Sequence, residues 1–354
     1  MRIKLSEQEL NKCKNLLYVK EMNMSSVELY IEYFSSDIKI QKNDIKSTYF
    51  DTFLDKMDIE KDDQELKEIN AVCHIDSMKE LSIDNYISNP YLVELNNLKN
   101  NGLIKWLKYE PYQGFVYDEI VVSQDQYSET TPFGYFTKEF KYPALIKNDY
   151  IWMSLIPHEM NTMEKDIDRA YGNVLVLGLG LGYYSYMISN KDDVESVTII
   201  EKDKEIIDIF NKHLRPHFRS LNKITIIEED AFKYIENNSY KYDFIYADLW
   251  HNAGDGTGMY LKLKGLEKYN KSATYAYWIE TTLISMIRRY ILTIFEETLE
   301  GYADSDYRKA KDENDKIINC LYFKLKDYIV ASFEDLHSLL SEDSIRKIAS
   351  ELNY

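Results

Sequence analysis

The clearest run of apolar and polar positions in the chain is Asn173 to Ser189, NVLVLGLGLGYYSYMIS. Val174 to Leu177 pass straight into glycines at 178, 180 and 182, and a helical pattern follows. A short uninterrupted apolar run of β-formers is what a parallel strand buried on both faces requires. The texture returns three times: Val197 to Ile200 ending at Glu201, Ile224 to Ile227 ending at Glu229-Asp230-Ala231, and Tyr242 to Ala247 ending at Asp248-Leu249-Trp250. A helical pattern, Lys204 to Leu214, lies between the second and third runs. Strands alternating with helices at this spacing predict an α/β fold with a Rossmann-like, doubly wound parallel sheet, whose ligands sit outside the carboxyl ends of the strands.

The flanks read differently. Residues 1 to 90 are polar and helical in pattern, with Ser6 and Glu9 spaced as a capping box. Leu16, Leu17, Val19, Met22 and Met24, then Val27, Leu29, Tyr30, Ile31 and Phe34, supply apolar faces. From residue 91 to 150 short β-like runs, Leu103 to Tyr109 and Phe115 to Val122, are broken by Pro111, Gly114, Pro132, Gly134 and Pro143, which predicts a small antiparallel sheet. Trp152 to Arg169 is expected to be helical, with Pro157 in its opening turn. Beyond Trp278 the pattern is helical: Ile279 to Leu299, Tyr322 to Phe333, and a segment after Ser341. The predicted division is therefore 1–90 helical, 91–150 β-rich, 151–280 the parallel sheet domain, and 281–354 a helical extension.

Composition narrows the function. The 354 residues carry a formal charge of -17, which argues against a phosphate-backbone partner. No apolar run approaches the ~20 residues that span a bilayer, and the first residues, MRIKLSEQEL, lack a signal-peptide core. A cytoplasmic protein with a small-molecule substrate, no nucleic-acid partner and no membrane partner is expected. Its oligomeric state, a homodimer among the options, is left open. Cys13, Cys73 and Cys320 share no metal-type spacing, and His74 beside Cys73 has no third ligand nearby, so no metal is expected. The 31 tyrosines are spread along the chain as amphipathic filling between core and surface.

Gly178, Gly180 and Gly182 form G-x-G-x-G, and Tyr183 stands where a dinucleotide fingerprint needs a small residue. This loop resembles the first motif of class I S-adenosylmethionine-dependent methyltransferases. The resemblance implies S-adenosyl-L-methionine as cofactor, cradled by the glycines, with Glu201 on the ribose hydroxyls and Asp230-Ala231 at the adenine. It also implies that Asp248, Trp250 and His251 face the transferred group, Asp248 touching cofactor and His251 serving as a base. His158 and Glu159 are expected to wall the acceptor pocket, and the glycine-rich stretch Ala253 to Gly258 to form a mobile lid.

The segments YDFIYADLWHN and VESVTIIEKDKEII, with His158-Glu159-Met160, also resemble spermidine synthases over residues 140 to 260. Those enzymes carry an acid in the glycine loop and another three residues after the strand-end Asp, where this chain has Leu181 and His251. A buried ammonium without a carboxylate is strongly unfavourable. Methyl transfer to an unidentified small molecule is accordingly the expected function. An aminopropyl transferase and a non-catalytic cofactor-binding or scaffold protein are the alternatives.

Overall fold

The four apolar runs, one closed by a glycine and three by acids, do form one sheet, and a fifth strand joins them. The computed structural model describes residues 1–35, 60, 64, 67–68, 78–100, 103–147, 149–302, 310–352 and 354. Cys73 and His74 lie outside the described residues, as do the side chains of residues 27 to 35.

The chain opens with strand β1 (Arg2–Ile3) and helix α1 (Glu7–Ser35). A β-rich stretch follows: β2 (Met78–Glu80), α2 (Asp84–Ile87), α3 (Pro90–Leu95), β3 (Ile104–Tyr109), β4 (Gly114–Val116), β5 (Val121–Val122), β6 (Glu129–Thr130), β7 (Phe133–Tyr135), β8 (Phe140–Lys147) and β9 (Tyr150–Ser154). β3, β8 and β9 form an antiparallel sheet, while β4 pairs antiparallel and β2 parallel with β7. The expected antiparallel region is thus present, but the helix predicted from Trp152 begins only at Pro157. The preceding residues, YIWMS, pair with β8 as a strand. β-branched and aromatic residues fit a pleated half-buried surface better than a helix interior.

Next come α4 (Pro157–Arg169), β10 (Gly172–Leu177), α5 (Tyr183–Ser189), β11 (Val194–Glu201), α6 (Lys204–Ile209), β12 (Ile224–Glu228), α7 (Ala231–Asn237), β13 (Phe244–Ala247), α8 (Ala253–Leu266) and β14 (Thr274–Tyr277). The last five strands make an all-parallel sheet in the order β12-β11-β10-β13-β14. The order reverses beside β10, and the glycine loop lies at that reversal, where ligands of open α/β sheets bind. Val174 to Leu177 and Phe244 to Ala247 are at most 2% exposed, as strands covered on both faces require.

The mobile lid expected at Ala253 to Gly258 is instead the first turns of α8. Asn252 accepts from the Gly254 and Asp255 amides, and Asp255 returns the bond to the Asn252 amide, closing a capping box. The glycines there serve packing: a β-carbon on Gly256 would stand 2.6 Å from the Trp250 ring.

The tail comprises α9 (Glu280–Leu299), α10 (Glu313–Leu325), β15 (Ile329–Val330), α11 (Phe333–Leu339) and α12 (Glu342–Glu351). β1 pairs in parallel with β15, so the two ends of the chain meet. Among the described residues no antiparallel hairpin closes the parallel sheet at β14, and α9 follows directly. The N-terminal region is knitted to this tail by buried polar contacts. Glu129 accepts from Ser285 and Arg289, and Glu119 accepts from the Thr282 amide at 2.7 Å.

Candidate active site

The three loop glycines do different jobs. All have positive φ, 99° at Gly178, 55° at Gly180 and 80° at Gly182, a region that L side chains rarely adopt. A β-carbon on Gly178 would overlap the Asp248 carbonyl oxygen, and one on Gly182 would stand 2.7 Å from Phe210. Those two glycines let backbone and core close up. Among the described residues beyond its chain neighbours, a β-carbon on Gly180 would meet only Met153 Sδ within 4 Å, at 3.6 Å. Gly180 is therefore the one position of the three with open space in front of it.

Glu201 ends β11 part-buried, and its carboxylate braces the loop. Oε2 accepts from the Leu179 amide at 3.2 Å and Oε1 from the Asp203 amide at 2.8 Å. Each oxygen retains acceptor capacity for a ligand hydroxyl. Asp230 is the N-cap of α7, Oδ1 accepting from the Phe232 and Lys233 amides at 3.1 Å, and Ala231 opens the helix as a buried residue. Both acids stand at carboxyl ends of the sheet beside the glycine loop.

Asp248 follows β13, its amide donating to the Leu177 carbonyl at 2.9 Å. Glu159, in the first turn of α4, lies close enough for the charge of Asp248 to act on it, and α4 is tied to the residue that follows β14. Trp278 makes the join. Its amide donates to the Ala247 carbonyl, its indole N–H donates to Thr162 Oγ1 at 2.9 Å, and its ring meets His158 edge-on at 6.0 Å. Burial raises the pKa of both carboxyls, and for Glu159 the charge of Asp248 adds to the effect. The same burial lowers His158 to about 4, so it stays neutral. Tyr246 lies beneath, stacked on Tyr184 at 3.7 Å. The site thus holds two recessed carboxyl groups that resist being charged together, an arrangement that a cation relieves.

The hairpin β8–β9 crosses above the strand ends. Lys147 pairs with Asp203 at 2.7 Å and with Glu205 at 3.2 Å on one side. Trp152 meets the His251 ring edge-on at 4.7 Å on the other. His251 is exposed, with Nδ1 at 3.0 Å from Asp255 Oδ2. Trp250, expected to line a substrate pocket, is instead 4% exposed and packed on Gly256. The structure therefore brings together Gly180, Glu201, Asp230, Asp248, Glu159 and His158 at one edge, leaves His251 on the rim and takes Trp250 into the core. Lys147 and Trp278 were missed, because their placement is tertiary: Lys147 reaches Asp203 across the fold, and Trp278 is set by the pairing of β14 with β13.

The comparisons with known proteins bear on this edge. Residues 155–264 match the family described as Spermine/spermidine synthase domain. A polyamine aminopropyltransferase of Clostridium botulinum (strain Eklund 17B / Type B) is 26% identical over 137 residues, 38% of this chain and 47% of that protein. One from Alkaliphilus oremlandii is 27% identical over 137 residues, with the same shares. One from Lachnoclostridium phytofermentans is 22% identical over 209 residues, 51% of this chain and 72% of that protein. The chain spans about half the length of the first two relatives. A crystal structure of spermidine synthase from Thermotoga maritima aligns over 43% of this chain and 59% of that one, at 12% identity and a TM-score of 0.28.

The segment carrying the loop and all three strand-end acids is thus similar to spermidine synthases on a class I methyltransferase-type sheet. This corrects the expectation of a methyltransferase with S-adenosyl-L-methionine as methyl donor, since the matching family is the spermine/spermidine synthase domain and the similar proteins are polyamine aminopropyltransferases. The physical objection had been the missing acids at Leu181 and His251. It counted carboxylates only at motif positions, whereas Glu159, on the preceding helix, lies close enough for the charge of Asp248 to raise its pKa. Among the described residues no helix is long and apolar enough to cross a membrane, and no three or more His, Cys, Asp or Glu residues are grouped as a metal site.

Proposed function

We propose that the chain is an aminopropyl transferase, moving the aminopropyl group of decarboxylated S-adenosylmethionine onto an amine acceptor. The observation that carries this reading is the pair Glu159 and Asp248 at the carboxyl edge of the sheet, two part-buried carboxyls whose pKa values burial raises, with the charge of Asp248 raising Glu159 further. A cationic substrate stabilises both in their charged form, and a neutral methyl acceptor does not.

In this reading the donor lies against Gly180, its ribose hydroxyls on Glu201 and its adenine beside Asp230 and Ala231. Met153, Trp152 and Lys147 of the β8–β9 hairpin exclude water from above. The acceptor nitrogen must be neutral to attack. Asp248 or Glu159, its pKa raised towards the working range of a base, takes the proton from the amine. The nitrogen lone pair then forms the new C–N bond at the propyl carbon next to the sulfonium. The C–S bond breaks, and its electron pair leaves with 5′-methylthioadenosine. The carboxylate that stays charged then holds the cationic product, and the proton taken up by the other passes to solvent. In-line positioning supplies most of the acceleration, because the sulfonium is already a good leaving group.

The test is incubation with decarboxylated S-adenosylmethionine and a panel of mono-, di- and triamines, following release of 5′-methylthioadenosine. Amine-dependent release is the expected result. No release with any amine, from protein shown to bind the donor, would leave a binding protein and overturn the proposal.

A further inference from the structure

A second site lies at the opposite, amino edge of the sheet. A groove of about 940 Å³ is walled by the end of α8, the loop leading into β14 and the residues closing α12. Five lysines line it, Lys262, Lys264, Lys268, Lys271 and Lys324, against three glutamates, Glu236, Glu267 and Glu351. That local excess of positive charge stands out on a chain whose formal charge is -17.

Two of the glutamates are already neutralised. Lys264 pairs with Glu267 at 2.5 Å and Lys324 with Glu351 at 2.9 Å. Lys262 sits over the Phe232 ring at 4.2 Å and Lys268 over the Tyr269 ring at 5.3 Å. Among the described residues, Lys262, Lys268 and Lys271 have no carboxylate at ion-pair distance, and Glu236 is the single unpaired acid facing them. The volume falls within the range of about 300–1,000 Å³ typical of small-molecule pockets. Tyr275 and Tyr354 add aromatic wall to the lysines.

The groove is separate from the reaction edge. Ala273, in its wall, precedes β14, while Trp278 at the far end of that strand touches His158. Four strand residues span roughly 13 Å. Helix α8 runs from the Asn252 cap near His251 to Lys262 and Leu266 in the groove, a length of about 21 Å for its residues.

We propose that this groove binds a phosphorylated small molecule, with Lys262, Lys268 and Lys271 supplying the charge. Lysines hold phosphate as point charges, so binding rests on Coulomb attraction at a partly exposed site and is weakened by salt. The phosphate groups have two sources, a free polyphosphate chain or a nucleotide whose base lies on the tyrosine wall. The same lysines serve both.

The test is calorimetry of the full chain with inorganic tripolyphosphate and, separately, with ATP, each at low and at physiological ionic strength. Both probes are expected to bind at low salt and to weaken at physiological salt. The double variant Lys268→Gln, Lys271→Gln is expected to lose at least about tenfold in affinity for both while keeping its melting temperature. Tighter binding of ATP than of tripolyphosphate assigns a contact to the base, and equal affinity assigns the site to the phosphates alone. No heat with either probe up to millimolar concentration, or the same affinity in the lysine variant, would overturn the proposal.

Discussion

Lys147 Nζ lies 2.7 Å from Asp203 Oδ2, and the Asp203 amide in turn donates to the Glu201 carboxylate that braces the glycine loop. The hairpin above the site and the loop beneath it are therefore joined through one side chain. Both partners are under a third exposed, so the pair contributes about 0.2–1 kcal/mol to folding. Its larger effect is on closure. Lys147→Met is expected to leave the melting temperature within a few degrees of wild type and to raise the KM for the donor several-fold, most visibly at low salt. Steady-state kinetics at two ionic strengths checks this, and an unchanged KM would separate the hairpin from donor binding.

The three glycines of the loop are expected to fail in different ways. Gly180→Val places a side chain in the open space near Met153, at a φ of 55°. It should remove donor binding from a protein that still folds. Gly182→Ala forces a β-carbon to 2.7 Å from Phe210, and Gly178→Ala forces one onto the Asp248 carbonyl. Each should lower stability by about 1–3 kcal/mol or more through overpacking and backbone strain. Thermal unfolding beside donor titration distinguishes the cases, and a Gly180→Val protein with normal affinity would contradict the placement of the donor.

Glu159 and Asp248 give the ligand-free protein a particular pH dependence. A carboxyl whose folded-state pKa is raised above its unfolded value stabilises the fold fully below that unfolded value, about 4, and loses the contribution as pH rises through the folded value. Glu159→Gln should therefore melt higher than wild type above neutrality, with the gap closing towards pH 4. Affinity for a polyamine should run the other way, rising with pH across the same window as the carboxylates charge. Glu159→Gln should flatten that rise. Melting curves and amine titrations over pH 4 to 9 measure both, and a pH-independent affinity in wild type would show that the pair does not face the amine.

The N-terminal region is predicted to be inseparable from the sheet domain. Glu129 is buried with Ser285 and Arg289, and Arg288 is close enough to act on its charge. Glu129→Ala leaves buried guanidinium groups uncompensated and should cost about 3–5 kcal/mol. Deletion of residues 1 to 150 also strips the cover from α9 and should prevent folding. Circular dichroism of the two proteins checks this, and a cooperative melt from the truncated chain would refute the dependence.

The sheet was legible in the sequence because each of its first four strands carries an apolar run, as parallel strands covered on both faces need, with a glycine closing the first run and acids closing the other three. β14 was not legible. Its residues, Thr274 to Tyr277, are polar at one end and aromatic at the other, and only pairing with β13 makes them a strand. The glycines of α8 read as a loop because their reason, close approach of Trp250 and Tyr354, is tertiary. Among the candidate site residues, the strand-end positions of Glu201, Asp230 and Asp248 were legible in the sequence. Glu159 was placed on the pocket wall, but the effect of the Asp248 charge on it was not legible, since that depends on the tertiary placement of α4. The family match over residues 155–264 and the similar aminopropyltransferases reversed the expectation of a methyltransferase.

The most direct measurement is a side-by-side assay of wild type and Glu159→Gln with decarboxylated and with intact S-adenosylmethionine, each with a diamine, the products resolved by mass spectrometry. The account predicts that wild type adds one aminopropyl group from the decarboxylated donor and releases an equal amount of 5′-methylthioadenosine. It predicts no transfer from the intact donor, and a fall of about 10²–10⁴ in kcat/KM for Glu159→Gln. Methylated amine from the intact donor, or a Glu159→Gln enzyme as fast as wild type, would contradict it.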